Sequence, residues 1–441
     1  MTRASTRTAP LAALVGAGTE IPLVTGGTVA YANLDLAASA PALQAVADRV
    51  AELLPLYSSV HRGAGYASAV CTAAYEAARL EIAAFVGARG DDVVQVVRNT
   101  TDALNLLATA VPGPVVHLDI EHHANLLPWQ RIGGRVVSAR ATLAETVSAV
   151  AAELSHSPAA LLAITGASNV TGEVLPLREL ADLAHAHGAR IVVDGAQLVP
   201  HRRIDIADLG VDYLAFSGHK LYAPFGAGVL IGPRDWLDAA PAYLAGGGAV
   251  REVGLDRTAW APVPARHEAG TPNVIGAVAL AAACQALAAL PQGALAAHEA
   301  ELLQQLSDGL DAVPGVTTLA LWPGEVERIG VVTFVVDGHP AELVAQYLSA
   351  EHGIGVRDGR FCAHPLLGRL TAGASAVRAS LGVGSSTGDV ERLVSALATL
   401  VADGPGWRYA DASGDHLPLE DPRTLPGWIT AAVVPASPCT T

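Results

Sequence analysis

Between about residue 90 and residue 231, short apolar runs alternate with helical patterns. The runs are Val93–Val97, Val115–Leu118, Leu161–Thr165, Ile191–Val193, Val211–Phe216 and Gly228–Ile231. Helical stretches lie among them, one opening at Ala103 and another running from Leu177 to His187. Strands that alternate with helices predict a mostly parallel sheet with helices on its faces. The last run reads as a hairpin partner of its predecessor. In such sheets ligands sit beyond the carboxyl ends of the strands. Polar residues stand at those ends: Thr100 and Thr101, Asn169, Asp194, and the run Ser217-Gly218-His219-Lys220.

The C-terminal third reads differently. A long helix over 293–312 is followed by an apolar strand, Val331–Val336, and a helix near Ala341–Ser349. A strand near Val377–Leu381 and a last helix over about 387–402 complete a smaller α+β unit. The expected division is an N-terminal segment, 1–34, packing on the small domain, a large domain over 35–292, and a small domain over 293–402. The remainder, 403–441, is rich in Gly, Pro and Asp and reads as a loosely ordered tail. The alanine-rich stretch Val274–Leu290 is short for a membrane span and reads as a buried helix.

Composition excludes several classes. With 51% hydrophobic and 16% charged residues the chain buries a large core, which rules out wholesale disorder. A net charge of −15 argues against nucleic acid and against acidic membrane surfaces as partners. Cys71, Cys284, Cys362 and Cys439 show no C-x-x-C spacing, so neither a disulfide framework nor a structural zinc site is expected. The expected compartment is the reducing cytoplasm. Arg3 and Arg7 precede the apolar run Leu11–Val15, but that run is short and Glu20 follows early, which argues against an export signal.

One count bears on chemistry. Lysine and arginine total 27, and Lys220 is the sole lysine. Arginine keeps its proton, whereas a lysine amine sheds it in a suitable site and condenses with a carbonyl. Around Lys220 stand an acid that could hold a cationic ring nitrogen (Asp194) and a strand-to-helix turn that could cup a phosphate (Thr100, Thr101). Ser217 and His219 add donors, and His122 or His123 offers an imidazole to stack on a ring. Singly, each has a plainer reading. Asp194 and the threonines suit helix caps, Lys220 a solvated loop, and the two histidines a metal pair, though no third ligand is evident. Together they describe a pyridoxal 5′-phosphate site and no metal site.

The chain resembles the class V aminotransferase group of fold-type I pyridoxal phosphate enzymes, and within it the group II (SufS-like) cysteine desulfurases and selenocysteine lyases. The likeness runs from about Asp35 to about Leu400. It is carried, in the family's order, by Val60-His61-Arg62-Gly63, Arg98-Asn99-Thr100-Thr101-Asp102 and the stretch Glu121–Trp129. Next come Ser168-Asn169-Val170-Thr171-Gly172, Val193-Asp194-Gly195-Ala196-Gln197 and Ser217–Lys220. Gly246-Gly247-Gly248, Glu268–Asn273, Cys362–Leu366 and Arg378–Leu381 close the set.

The resemblance implies roles. Lys220 would join the cofactor and move protons, Asp194 would pair with the pyridinium nitrogen, and His122 would stack on the ring. Gln197 would reach the phenolic oxygen, and Thr100, Thr101, Ser217 and His219 the phosphate. Thr271 would reach the phosphate of a neighbouring subunit, which implies a homodimer. Asn169, Arg357 and Arg378 would bind a small amino-acid substrate, L-cysteine, and Cys362 would take its sulfur for an acceptor. Two departures stand out: Arg360-Phe361 precede the cysteine where the family often carries histidine, and Leu36 replaces a polar residue after Asp35. They motivate an alternative reading as an aminotransferase, C–S lyase or epimerase acting on another amino acid.

Overall fold

The computed structural model describes residues 7–324, 326–411 and 415–429. Arg3 and Cys439, named above, lie outside the described residues. The large sheet contains seven strands: β1 (Asp92–Val97), β2 (Val115–Leu118), β3 (Arg135–Val137), β4 (Leu161–Thr165), β5 (Arg190–Asp194), β6 (Tyr213–Ser217) and β7 (Gly228–Pro233). Their spatial order is β1-β7-β6-β5-β4-β2-β3. All neighbours pair in parallel except β7, which runs against both β1 and β6. The fold is thus α/β with a mostly parallel sheet, as expected, and β7 is the expected hairpin partner. β7 also inserts between β6 and β1. β4, β5 and β6 are buried along nearly their whole length, as strands covered on both faces must be. The short edge strand β3, which opens on an arginine, has no clear apolar signal and escapes sequence reading.

The helix Val274–Ala288 is buried on nearly every side and packs on the helices Gln44–Leu53 and Tyr66–Phe85. An all-round apolar helix belongs in a core. Among the described residues no helix is long and apolar enough to cross a membrane.

A second sheet, wholly antiparallel, has the order β8-β9-β11-β10, formed by β8 (Val316–Thr318), β9 (Val331–Val336), β10 (Arg357–Gly359) and β11 (Ala376–Ser380). The helices Ala294–Asp311, Ala341–His352 and Thr387–Asp403 pack against it or one another. Its own core gathers Leu302, Leu306, Phe334, Tyr347, Leu393 and Leu397. The N-terminal residues touch both units: Ala32 pairs with Ile354, while Val15 N–H donates to the Ala42 carbonyl at 2.8 Å. Beyond Asp403, Glu351 accepts from Gly406 N–H at 3.0 Å and from the Tyr409 hydroxyl at 2.9 Å.

Candidate active site

A cavity opens where the carboxyl ends of the parallel strands meet the second sheet. From the large sheet it is lined by Thr100 and Thr101 after β1, His122 after β2, and Asn169 after β4. Asp194 and Gln197 after β5 and Ser217, His219 and Lys220 after β6 complete that side. From the second sheet come Arg357 and Arg378, and from the turn after β10 comes Cys362. Every residue to which the resemblance gives a role meets here except Thr271, which is exposed and outside this cavity; His123 lines a neighbouring one.

The turn after β1 is set by packing. A Cβ on Gly228 would stand 2.6 Å from the Asn99 Cα, so only glycine lets that turn approach β7. Asn99, not a threonine, caps the helix Thr100–Ala110, accepting from Asp102 N–H at 2.9 Å. Thr100 is thereby turned toward β6. Its N–H donates to Ser217 Oγ at 2.8 Å, and the two hydroxyls lie 2.7 Å apart. A helix N-terminus with clustered hydroxyls is an anion cup.

Asp194 is buried at the end of β5, and its Oδ1 accepts from Ala196 N–H at 3.0 Å. No helix starts there, so the capping alternative does not apply. Burial raises its carboxyl pKa, and the Lys220 charge opposes that rise. Burial pushes the Lys220 ammonium down to about 8; Asp194 resists the shift, while Arg378 adds to it. His122 falls to about 3 and His219 to about 4, each from burial first and then from Lys220. Both imidazoles are therefore neutral near pH 7, and a neutral ring is the form that stacks on a cationic one without repulsion.

A network that sequence reading missed flanks His122, whose own Nδ1 accepts from Ala124 N–H at 3.0 Å. Glu121 is fully buried and accepts from Thr165 N–H at 3.1 Å and from Asn125 Nδ2 at 2.7 Å. Asn125 Oδ1 in turn accepts from Trp129 Nε1 at 2.9 Å. Burial holds the Glu121 carboxyl well above its usual range. The signal lay in the motif itself, since the residues flanking the histidines serve each other. Gln197 Nε2 donates to the Ala37 carbonyl at 2.9 Å, which brings in Ala37 and Ala38 as further cavity residues.

Across the cavity Arg357 and Arg378 stand directly opposite each other on β10 and β11. Like charges so placed repel unless an anion joins them. Asp35 answers in part: its Oδ1 accepts from Arg378 Nη2 at 3.2 Å. Arg378 Nη1 donates to the Asn169 carbonyl at 3.0 Å, while its buried Nε has no hydrogen-bond partner. Two facing guanidinium groups with an unused donor suit a carboxylate.

Cys362 sits on a tight loop. Phe361 and Cys362 both adopt left-handed backbone, with φ of +51° and +52°. Two non-glycine residues there cost roughly 1–3 kcal/mol each. The loop is held by Asn169 Nδ2 on the Phe361 carbonyl at 2.8 Å and by His123 N–H on the Cys362 carbonyl at 2.8 Å. Cys362 also lines a second cavity with His123, Leu127, Pro128 and Arg131. His122 and His123 are side by side with ring centroids 6.2 Å apart, and among the described residues no cluster of three or more His, Cys, Asp or Glu could hold a metal ion.

The profile of the aminotransferase class-V family matches residues 32–393. A cysteine desulfurase of Dickeya dadantii (strain 3937) is 40% identical over 388 residues, covering 85% of this chain and 92% of the relative. The apo structure of cysteine desulfurase from Thermococcus onnurineus NA1 superposes with a TM-score of 0.76 at 32% identity, over 84% of this chain and 94% of that one. The cysteine desulfurase CsdA of Escherichia coli gives 0.74 at 33% identity, over 83% and 94%.

Proposed function

The chain belongs to the class-V aminotransferase family, as a pyridoxal 5′-phosphate enzyme of the cysteine desulfurase type, and from that premise we propose that it draws sulfur from L-cysteine through Lys220 and Cys362. The observation that carries the reading is the meeting of Lys220, Asp194 and Cys362 in one cavity with the paired arginines. The donor set fits the cofactor. Lys220 would hold it covalently, Asp194 would pair with its ring nitrogen, and neutral His122 would cover its face. Thr100, Thr101, Ser217 and His219 would hold its phosphate, and Gln197 would reach its phenolic oxygen. Thr271, exposed in its own chain, would complete the phosphate cup of a second copy, and a homodimer is the proposed working unit.

When bound, the cofactor supplies a cationic conjugated ring that takes up electron density from the substrate's Cα. The protein does the rest. Arg378 and Arg357 bind the substrate carboxylate, with Asn169 beside them, and so orient Cα. Lys220 Nζ, held below its usual range, takes the Cα proton and later returns one. The Cys362 thiolate attacks the substrate sulfur. The new S–S bond forms as the Cβ–S bond breaks, and the carbon keeps the pair and is protonated to give L-alanine. A persulfide remains on Cys362. Because Cys362 also lines the second cavity, a sulfur acceptor has a route to it past Leu127 and Arg131. The proposed setting is the cytoplasm, where thiols discharge persulfides.

The test is product analysis over a panel of amino acids with and without a thiol acceptor. L-alanine from L-cysteine, increased by the acceptor, is expected. Keto acid, ammonia or an inverted product from a different amino acid would instead favour the alternative reading.

A further inference from the structure

Phe361 lines the cavity next to Cys362, on the side of Arg378. Its ring lies 5.2 Å from the Arg378 guanidinium carbon, a cation–π distance. Both residues are buried, each 3% exposed. Asn169 joins the same two residues by a second route. Its side chain donates to the Phe361 carbonyl at 2.8 Å, and its own carbonyl accepts from Arg378 Nη1 at 3.0 Å. Phe361 and Cys362 share the left-handed turn, so a shift of one backbone moves the other. Arg378, Asn169 and Phe361 therefore form a closed triangle with Cys362 attached to one corner.

We propose that Phe361 is a positioning residue that couples carboxylate binding at Arg378 to the placement of the Cys362 thiol. A carboxylate arriving between Arg357 and Arg378 draws the Arg378 charge away from the Phe361 ring. The guanidinium shifts, and both the ring contact and the Asn169 bridge carry that shift to the loop. The nucleophile is then aligned only when an amino acid is seated. This inference rests on the proposed roles of Arg378 and Cys362.

The experiment uses the holoenzyme with L-alanine as the carboxylate probe. The rate of Cys362 alkylation by iodoacetamide is read by peptide mass spectrometry, with and without L-alanine. Wild type is expected to show at least a threefold change on adding L-alanine. Phe361→Leu, which keeps apolar bulk without the ring, is expected to show a ratio near one. Phe361→Tyr, which keeps the ring, is expected to restore most of the wild-type ratio. A Phe361→Leu protein with the wild-type ratio overturns the proposal. So does a ratio of one in wild type whose cofactor absorbance shifts with L-alanine. Failure of wild type to form L-alanine from L-cysteine would instead defeat the functional reading, so the two failures are distinguishable.

Discussion

The hydroxyls of Thr100 and Ser217 lie 2.7 Å apart although 117 residues separate them in the chain. Ser217 Oγ also takes the Thr100 N–H, so one side chain ties the first helix of the site to the end of β6. Removing it leaves a buried N–H without a partner and takes a donor from the proposed phosphate cup. Ser217→Ala is expected to weaken cofactor binding by about 10- to 100-fold, the worth of one hydrogen bond to a charged group. Absorbance titration of cofactor-free protein with pyridoxal phosphate measures it.

The reaction proposed for Lys220 needs the free amine, and its pKa is pushed from 10.5 to about 8. The reactive fraction therefore rises with pH through about 8 and not through 10.5. Asp194 opposes the shift, so Asp194→Asn is expected to move the midpoint lower still. The initial rate of cofactor capture by cofactor-free protein, trapped with borohydride at a series of pH values, reads both midpoints. A wild-type midpoint near 10 would contradict the site as described.

Three described cysteines have three environments. Cys71 is buried, with Ser58 N–H on its sulfur at 3.1 Å, and Cys284 is buried in an apolar helix that pushes its thiol pKa up. Neither lines the cavity. Cys362→Ala is expected to lose at least about a hundredfold in L-alanine formation from L-cysteine, because the nucleophile is gone. Cys71→Ala and Cys284→Ala, where folded, are expected to retain it. Selenocysteine, whose selenium leaves more readily, is expected to depend less on Cys362.

Glu268 anchors the loop that carries Thr271. It accepts from Arg79 at 2.8 and 2.5 Å, from Gln95 Nε2 at 2.7 Å, from Val96 N–H at 2.9 Å and from the Tyr75 hydroxyl at 2.9 Å. Glu268→Ala leaves the buried Arg79 charge with only the half-exposed Glu76, 3.3 Å from its Nε, and is expected to cost up to about 3–5 kcal/mol of stability. Glu268→Gln, which keeps some of the acceptors, is expected to cost less. Denaturant unfolding of the holoenzyme compares them.

Much of this site was legible in the sequence because parallel strands announce their own ends. Asp194 and Ser217 terminate apolar runs, and strand ends in such a sheet converge on one face. Lys220 was marked by being the sole lysine. What composition and spacing could not show was pairing between segments distant in the chain. Arg357 and Arg378 face each other only through the register of β10 and β11. Asp35 meets Arg378 across 343 residues. The role of Glu121 depends on a backbone N–H of β4, which no side-chain motif encodes. Thr271 remains exposed in the single chain, and its proposed role lies with a second copy.

The most direct test is peptide mass spectrometry of the holoenzyme after L-cysteine is added without an acceptor. The expected result is one added sulfur atom on the peptide bearing Cys362, with an equal amount of L-alanine released. L-Alanine formed while that peptide stays unmodified would contradict the account.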